Sequence, residues 1–151
     1  MPDQSMEQNI IESWTKCYLN ETMNFNFTND FQLKPIIKKC SIAHFRTANM
    51  EKVLEPYVGK LDEFLDYVGK EWKQNIEYDK TNGIIIADEN KDYCVCPLVK
   101  NNIIQSEKLC SCSEGFTEKM FSYILQKKVK VEVVRSWIRD HKSCIYKITI
   151  K

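Results

Sequence analysis

Apolar residues recur at helical spacing through the first half of the chain and at alternating spacing near its end. Residues from about 5 to 21 predict a helix whose stripe is Met6, Ile10, Trp14, Cys17 and Tyr18. Cys17 reads there as a small core residue. Asn24 to Asn29 is a polar–aromatic connection in which Phe25 and Phe27 plug a core edge. Thr28, Asn29 and Asp30 are good N-caps for a second helix, and Pro35 falls near its first turn. That helix runs to about Ala48, with Leu33, Ile36, Ile37, Cys40 and His44 on one face. A third helix, about 50 to 72, carries the broadest stripe, including Leu54, Leu61, Phe64, Leu65, Val68 and Trp72. Pro56 and Gly59 interrupt it early, which places a separate turn ahead of Glu55.

At Trp72 the period changes. Gln74–Tyr78 and Ile84–Asp88 flank Asn82-Gly83, a strong hairpin signal. The β-branched run Ile84-Ile85-Ile86 suits a central strand. A polar turn then leads into Tyr93-Cys94-Val95-Cys96-Pro97. Leu98 to Ile104 fits a short strand or a loop. Ser113 to Gln126 reads as a helix. From Val129 a half-buried strand continues through Trp137 and Ile138 to a turn at Asp140-His141-Lys142. Cys144, Tyr146 and Ile148 share one side of the last strand, which makes Cys144 a buried residue. The expected fold is α+β: N-terminal helices packed on an antiparallel sheet, with a crossover helix between two hairpins. A chain of 151 residues is read as a single domain, 1–151, with a helical half (1–72) and a cysteine-containing sheet half (73–151).

Composition removes several function classes. Lysine and arginine number 22 against 21 acidic residues, so there is no electrostatic footprint for nucleic acid. No apolar run approaches a membrane span, and the first residues, Met1-Pro2-Asp3-Gln4-Ser5, lack the basic and apolar regions of a secretory signal. The expected location is therefore cytoplasmic. In that compartment seven cysteines argue for thiols or metal rather than disulfides.

Two constellations carry candidate chemistry. The first is Cys94-Val95-Cys96 and Cys110-Ser111-Cys112, separated by residues 97–109. Four thiolates suit zinc or an iron–sulfur cluster, and on a strand each Cys-x-Cys would aim both sulfurs one way. Cys110 and Cys112 would also lie near a helix N-terminus, where the dipole favours thiolate. The other reading is reduced cysteines packed as small apolar residues with no metal, or redox-active thiols. The second constellation is Cys40 and His44, one helical turn apart, as metal ligands or as a catalytic thiolate–imidazolium pair. The alternative is a core cysteine beside a hydrogen-bonded histidine. Glu114 is the carboxylate nearest the cysteines, either a proton carrier or an acidic residue in a first helical turn.

Cys110-Ser111-Cys112-Ser113-Glu114-Gly115-Phe116, then Val129 to Ser136, then Cys144-Ile145-Tyr146-Lys147-Ile148 resemble small bacterial and archaeal cysteine-containing domains. The nearest types are the 4-vinyl reductase small-molecule-binding domain and the L-2-amino-thiazoline-4-carboxylic acid hydrolase family. The first resemblance implies a pocket for small hydrophobic molecules and a cysteine-bound metal. The second implies hydrolysis of a cyclic, amidine-like C–N bond. The last turn, Asp140-His141-Lys142-Ser143, lacks the glycine usual in the first family.

Two functions from different classes follow. One is a non-enzymatic small-molecule-binding or sensory domain, with metal held by Cys94, Cys96, Cys110 and Cys112, a small, mostly apolar ligand, and output through a partner or a homodimer. The other is a metal- or thiol-dependent hydrolase acting on a small C–N bonded substrate, using zinc or Cys40 and His44.

Overall fold

The structure is a computed structural model that describes residues 4–24 and 30–151. Phe25, Phe27, Thr28 and Asn29 lie outside the described residues, as do the side chains of Ile10, Tyr18 and Asp30. The helical half contains α1 (Gln4–Asn24), α2 (Asp30–Thr47), α3 (Met50–Leu54) and α4 (Leu61–Glu71). The third expected helix is thus two helices joined by a 3-10 turn at Glu55–Tyr57, where Pro56 has no N–H to continue the α ladder and Gly59 adopts φ +76°.

The sheet half contains β1 (Asn75–Asp79), β2 (Ile84–Asp88), α5 (Pro97–Lys100), α6 (Cys110–Leu125), β3 (Val129–Arg135), α7 (Trp137–Asp140) and β4 (Ile145–Ile150). The antiparallel sheet has four strands in the order β1-β2-β4-β3. The first hairpin closes as expected. Asp79 accepts backbone N–H bonds from Thr81 (3.0 Å) and Asn82 (3.1 Å), and Gly83 takes φ +64°. The register Ile85↔Ile148 and Val131↔Ile148 stacks three buried side chains across the middle of the sheet. The second hairpin is less regular. A bulge between Val133 and Arg135 ends the regular ladder, and Trp137 and Ile138 enter the short α7 instead of extending the strand. Ser136 caps α7 by accepting the Arg139 N–H at 3.3 Å.

α6 crosses the sheet and α2 lies along α6. Phe45, Leu54, Phe64, Ile124 and Ile148 are fully buried between these layers. The buried stripe of α2 is Leu33, Ile37, Ser41 and Phe45, an i, i+4 row. Cys40 and Ile36 are turned outward from it and exposed. At Gly115 the two helices come close: a Cβ there would stand 2.5 Å from Ser41 Oγ and 3.0 Å from the Lys38 carbonyl oxygen.

Two glutamates of α6 reach the edge of the sheet. Glu114 accepts the Val133 N–H at 3.3 Å and Glu118 accepts the Val131 N–H at 3.4 Å. Four residues of helix rise about 6 Å and two residues of strand about 6.6 Å, so residues i, i+4 of α6 match i, i+2 of β3. Lys38 pairs with Glu118 at 2.8 Å, and the Lys34 ammonium stands 2.8 Å from Glu114 Oε2, off the hydrogen-bonding direction. Glu114 is accordingly buried and structural, and it is absent from the wall of the cavity described below.

α1 departs from expectation. Met6, Trp14 and Cys17 are exposed, Trp14 at 66%. The helix is anchored toward its C-terminal end, where Met23 joins Leu33, Ile37, Ile104 and Leu109 in a second apolar cluster. Asn20 donates to the Ile103 carbonyl. Helical periodicity identified an apolar stripe there but not a surface to receive it. Among the described residues no helix is long and apolar enough to cross a membrane.

Candidate functional site

A cavity of about 400 Å³ lies between α4, α6 and the inner face of the sheet, with further wall from residues 89–99, from His44 of α2 and from Ser136 and Ile138 around α7. That volume falls in the ~300–1,000 Å³ range of small-molecule sites. Val68 comes from α4 and Trp72 from its C-cap, Phe116 and Met120 from α6, and Ala87 and Tyr146 from the strands. The sequence folds this way locally because the alternation of β2 and β4 sends Ala87 and Tyr146, a cross-strand pair, to the same face. The small Ala87 and the large Tyr146 thus stand side by side in the cavity wall.

Five of the seven cysteines line this cavity: Cys94, Cys96, Cys110, Cys112 and Cys144. The two Cys-x-Cys pairs do face a common site, but not from strands. Cys94 and Cys96 lie in an irregular segment, and Cys96 is the N-cap of α5, with Pro97 in its first turn. Cys110 and Cys112 open α6, where residues two apart point about 200° apart around the axis. The helical spacing therefore turns Cys110 and Cys112 to different sides of α6. Among the described residues no three His, Cys, Asp or Glu side chains gather as a metal-holding group. The donor type of the four thiols suits a soft cation.

The thiols differ in their proton affinity. Burial pushes Cys110 up to about 11 despite a hydrogen bond from Ser136 that opposes it. Burial likewise pushes Cys112 up to about 11. The start of α6 is not the free helix end that the sequence suggests. A 3-10 turn at Glu107–Leu109, capped by Ser106, runs directly into α6, so the Cys110 N–H is already bonded to the carbonyls of Glu107 and Lys108. The unsatisfied start of the helical run lies a turn before the thiols. Cys94 and Cys144 form a hydrogen-bonded pair: Cys144 is held below the ordinary thiol range by the Cys94 thiol, and Cys94 is held above it by the same contact. The Trp137 N–H also donates to Cys144 Sγ, at 3.3 Å. Cys144 was expected to be buried, and it is, but on the cavity wall.

The polar part of the wall includes residues that the sequence reading passed over. Gln74 Nε2 donates to Glu89 Oε2 at 3.0 Å, and burial raises the Glu89 carboxyl above its ordinary value. Lys91 Nζ bonds the carbonyls of Trp72 (3.1 Å) and Glu89 (3.2 Å). Burial also raises the Tyr146 hydroxyl, which is paired with Ser113. Gln74 and Glu89 flank Asn75↔Asp88, the last pair of the first hairpin. Once the Asn82-Gly83 turn fixes the register, they are the next facing positions, and this was the available signal.

The segment 89–94 is fixed against the start of β4. The Glu89 N–H bonds the Cys144 carbonyl at 2.9 Å, and the Lys91 N–H bonds Ser143 Oγ at 3.1 Å. Asp88 accepts from Ser143 Oγ (2.5 Å) and from Arg135 (3.3 Å), and Arg135 Nε donates to the Ser143 carbonyl at 2.7 Å.

Cys40 and His44 part company. His44 lines the cavity, its ring 4.7 Å from that of Phe116. Cys40 is exposed and outside the lining. His141, in a left-handed turn at φ 50°, is exposed and faces Trp137.

Among solved structures the chain is similar to a trafficking protein particle complex subunit 3 from Naegleria fowleri covalently bound to palmitic acid. That likeness has a TM-score of 0.56 and 10% identity, covering 98% of this chain and 97% of the other. At that identity the likeness is one of fold. No curated protein matches the chain. Neither resemblance drawn from the cysteine segment reappears in the match to the full chain: the model of a family of unknown function (DUF6144) matches residues 2–151, and the chain belongs to that family.

Proposed function

We propose that this protein is a binding domain for a small, mostly apolar molecule, held in the cavity between α4, α6 and the sheet. The observation that carries the reading is the cavity itself: about 400 Å³, walled largely by apolar side chains, with a few fixed polar groups at Gln74, Glu89 and Lys91. Apolar walls with sparse polar groups favour ligands by burial and orient them by a small number of hydrogen bonds. The structure of like fold carries palmitic acid, which supports an acyl chain as the ligand class. In this reading the Cys-x-Cys sulfurs are cavity wall rather than a metal cage, and His44 sits against Phe116 as part of the wall.

The test is a titration with cis-parinaric acid, a fluorescent polyene fatty acid. The expected result is saturable binding at one molecule per chain. Val133→Trp, which fills space from β3, is expected to abolish it with an unchanged far-UV circular dichroism spectrum. No saturable binding, or equal binding by the filled variant, would reject the reading.

A further inference from the structure

Among the described residues Lys91 is the only lysine or arginine in the cavity wall, and it is half-buried. Its Nζ is pinned by two main-chain carbonyls, Trp72 at 3.1 Å and Glu89 at 3.2 Å. An ammonium has three N–H donors, so one is left over. Both acceptors are neutral, and among the described residues no carboxylate forms an ion pair with Nζ. The neighbouring carboxylates are committed elsewhere. Glu89 is close enough to feel the Lys91 charge, but its side chain accepts from Gln74 at 3.0 Å. Asp88 accepts from Ser143 and Arg135. A cation fixed beside an apolar wall without a counter-ion is costly until an anion meets it. These polar groups gather where β1 and β2 end, while Val68, Phe116 and Met120 supply apolar wall. A ligand that satisfies both parts is an amphiphile with a negative head.

We propose that the cavity selects a free aliphatic carboxylate, an unesterified fatty acid, whose carboxylate takes the third N–H of Lys91. Its chain lies along Val68, Phe116 and Met120. The inference rests on the cavity being a ligand site and adds the head group that the site prefers. The bond from Lys91 is charge-assisted on both sides, the strong kind of hydrogen bond. An ester or an alcohol brings no charge to it and leaves the ammonium uncompensated. An alkylamine would meet Lys91 as a like charge and would need Glu89 to give up Gln74. The two carbonyl bonds fix Nζ before the ligand arrives, so little side-chain freedom is lost on binding.

The experiment titrates the full chain near neutral pH with cis-parinaric acid and with its methyl ester, which differ in head-group charge. The expected result is saturable binding of both, the acid tighter by about 10-fold or more, the worth of a hydrogen bond to a charged group. In Lys91→Met the acid is expected to fall to the affinity of the ester. A loss of packing alone would weaken acid and ester together and leave their ratio unchanged. If Lys91→Met fails to fold, the wild type still decides. A water-soluble carbodiimide added to the wild-type complex activates the bound carboxylate, and peptide mass mapping is expected to find the ligand amide on Lys91 ahead of the other lysines. Equal affinities of acid and ester overturn the proposal while the cavity reading stands, and saturable binding of neither rejects both. The proposal is also overturned if the preference for the acid survives in Lys91→Met, or if the amide forms first on another lysine.

Discussion

Gly115→Ala tests how closely α2 and α6 are packed, and the structure sets the scale of the effect. The new Cβ would stand 2.5 Å from Ser41 Oγ, 3.0 Å from the Lys38 carbonyl oxygen and 3.2 Å from Lys38 Cα. Two of these three atoms are backbone and cannot rotate away. The third belongs to a buried hydroxyl bonded to the Lys38 carbonyl at 2.5 Å. Overpacking of this kind costs about 1–3 kcal/mol. Replacing a mid-helix glycine by alanine returns roughly 1 kcal/mol through backbone entropy. The expected net effect is a loss of about 0–2 kcal/mol, or a fall in Tm of up to roughly 8 °C for a chain of this size. Urea denaturation followed by circular dichroism should show a lower midpoint with an unchanged slope. Ser41→Ala in the same chain removes the hydroxyl obstacle but not the backbone one, so S41A/G115A should recover part of the loss, with a coupling energy of about 0.5–1.5 kcal/mol. A raised midpoint for Gly115→Ala would show that the helices separate without cost, and the argument would fail. The site would feel the change as well, since α6 carries Phe116 against His44 of α2.

Glu89→Gln should alter the pH dependence of stability. Burial raises the folded-state pKa above the ordinary 4.5, so this carboxyl stabilises the fold below pH 4.5 and that contribution is lost as pH rises through the folded value. The stability of E89Q relative to wild type should therefore grow from pH 4.5 upward, and a difference that stays constant across pH would contradict it. Iodoacetamide labelling of metal-free protein near neutral pH should mark exposed Cys17 and Cys40 well before Cys110 and Cys112, whose thiols are pushed up to about 11. Equal labelling rates at all four, read by mass spectrometry, would refute that ordering.

Much of the fold was legible because it is local. Asn82-Gly83 specified the first hairpin, and Pro56 and Gly59 marked the break between α3 and α4. The alternation of Cys144, Tyr146 and Ile148 identified the buried side of β4. What was not legible depended on the neighbour rather than the chain. The α1 stripe looks like a core stripe, but burial is set by what packs there, and Trp14 remains exposed. On α2 the small Ser41 is buried while Cys40 is not, because Gly115 of α6 admits a helix contact at position 41. The Cys-x-Cys pairs did mark the cavity. Their geometry was misread because strand spacing was assumed where Pro97 starts one helix and Ser106 caps the turn into another. The Cys94–Cys144 pair could not be found from spacing, since it requires β4 to lie beside β2.

The two α6 glutamates on β3 bear on how copies of this protein can meet. A sheet grows by strand addition only where an edge offers unsatisfied N–H groups to an incoming backbone. On β3, Val131 and Val133 have theirs occupied by Glu118 and Glu114, which are in turn neutralised from α2. On β1, at the other edge, Asn75, Glu77 and Asp79 present polar and acidic side chains to solvent. Both margins of the sheet are thus blunted against templated stacking. Strand addition at either edge is thereby disfavoured as a way for two copies to pair, which leaves the sheet at four strands.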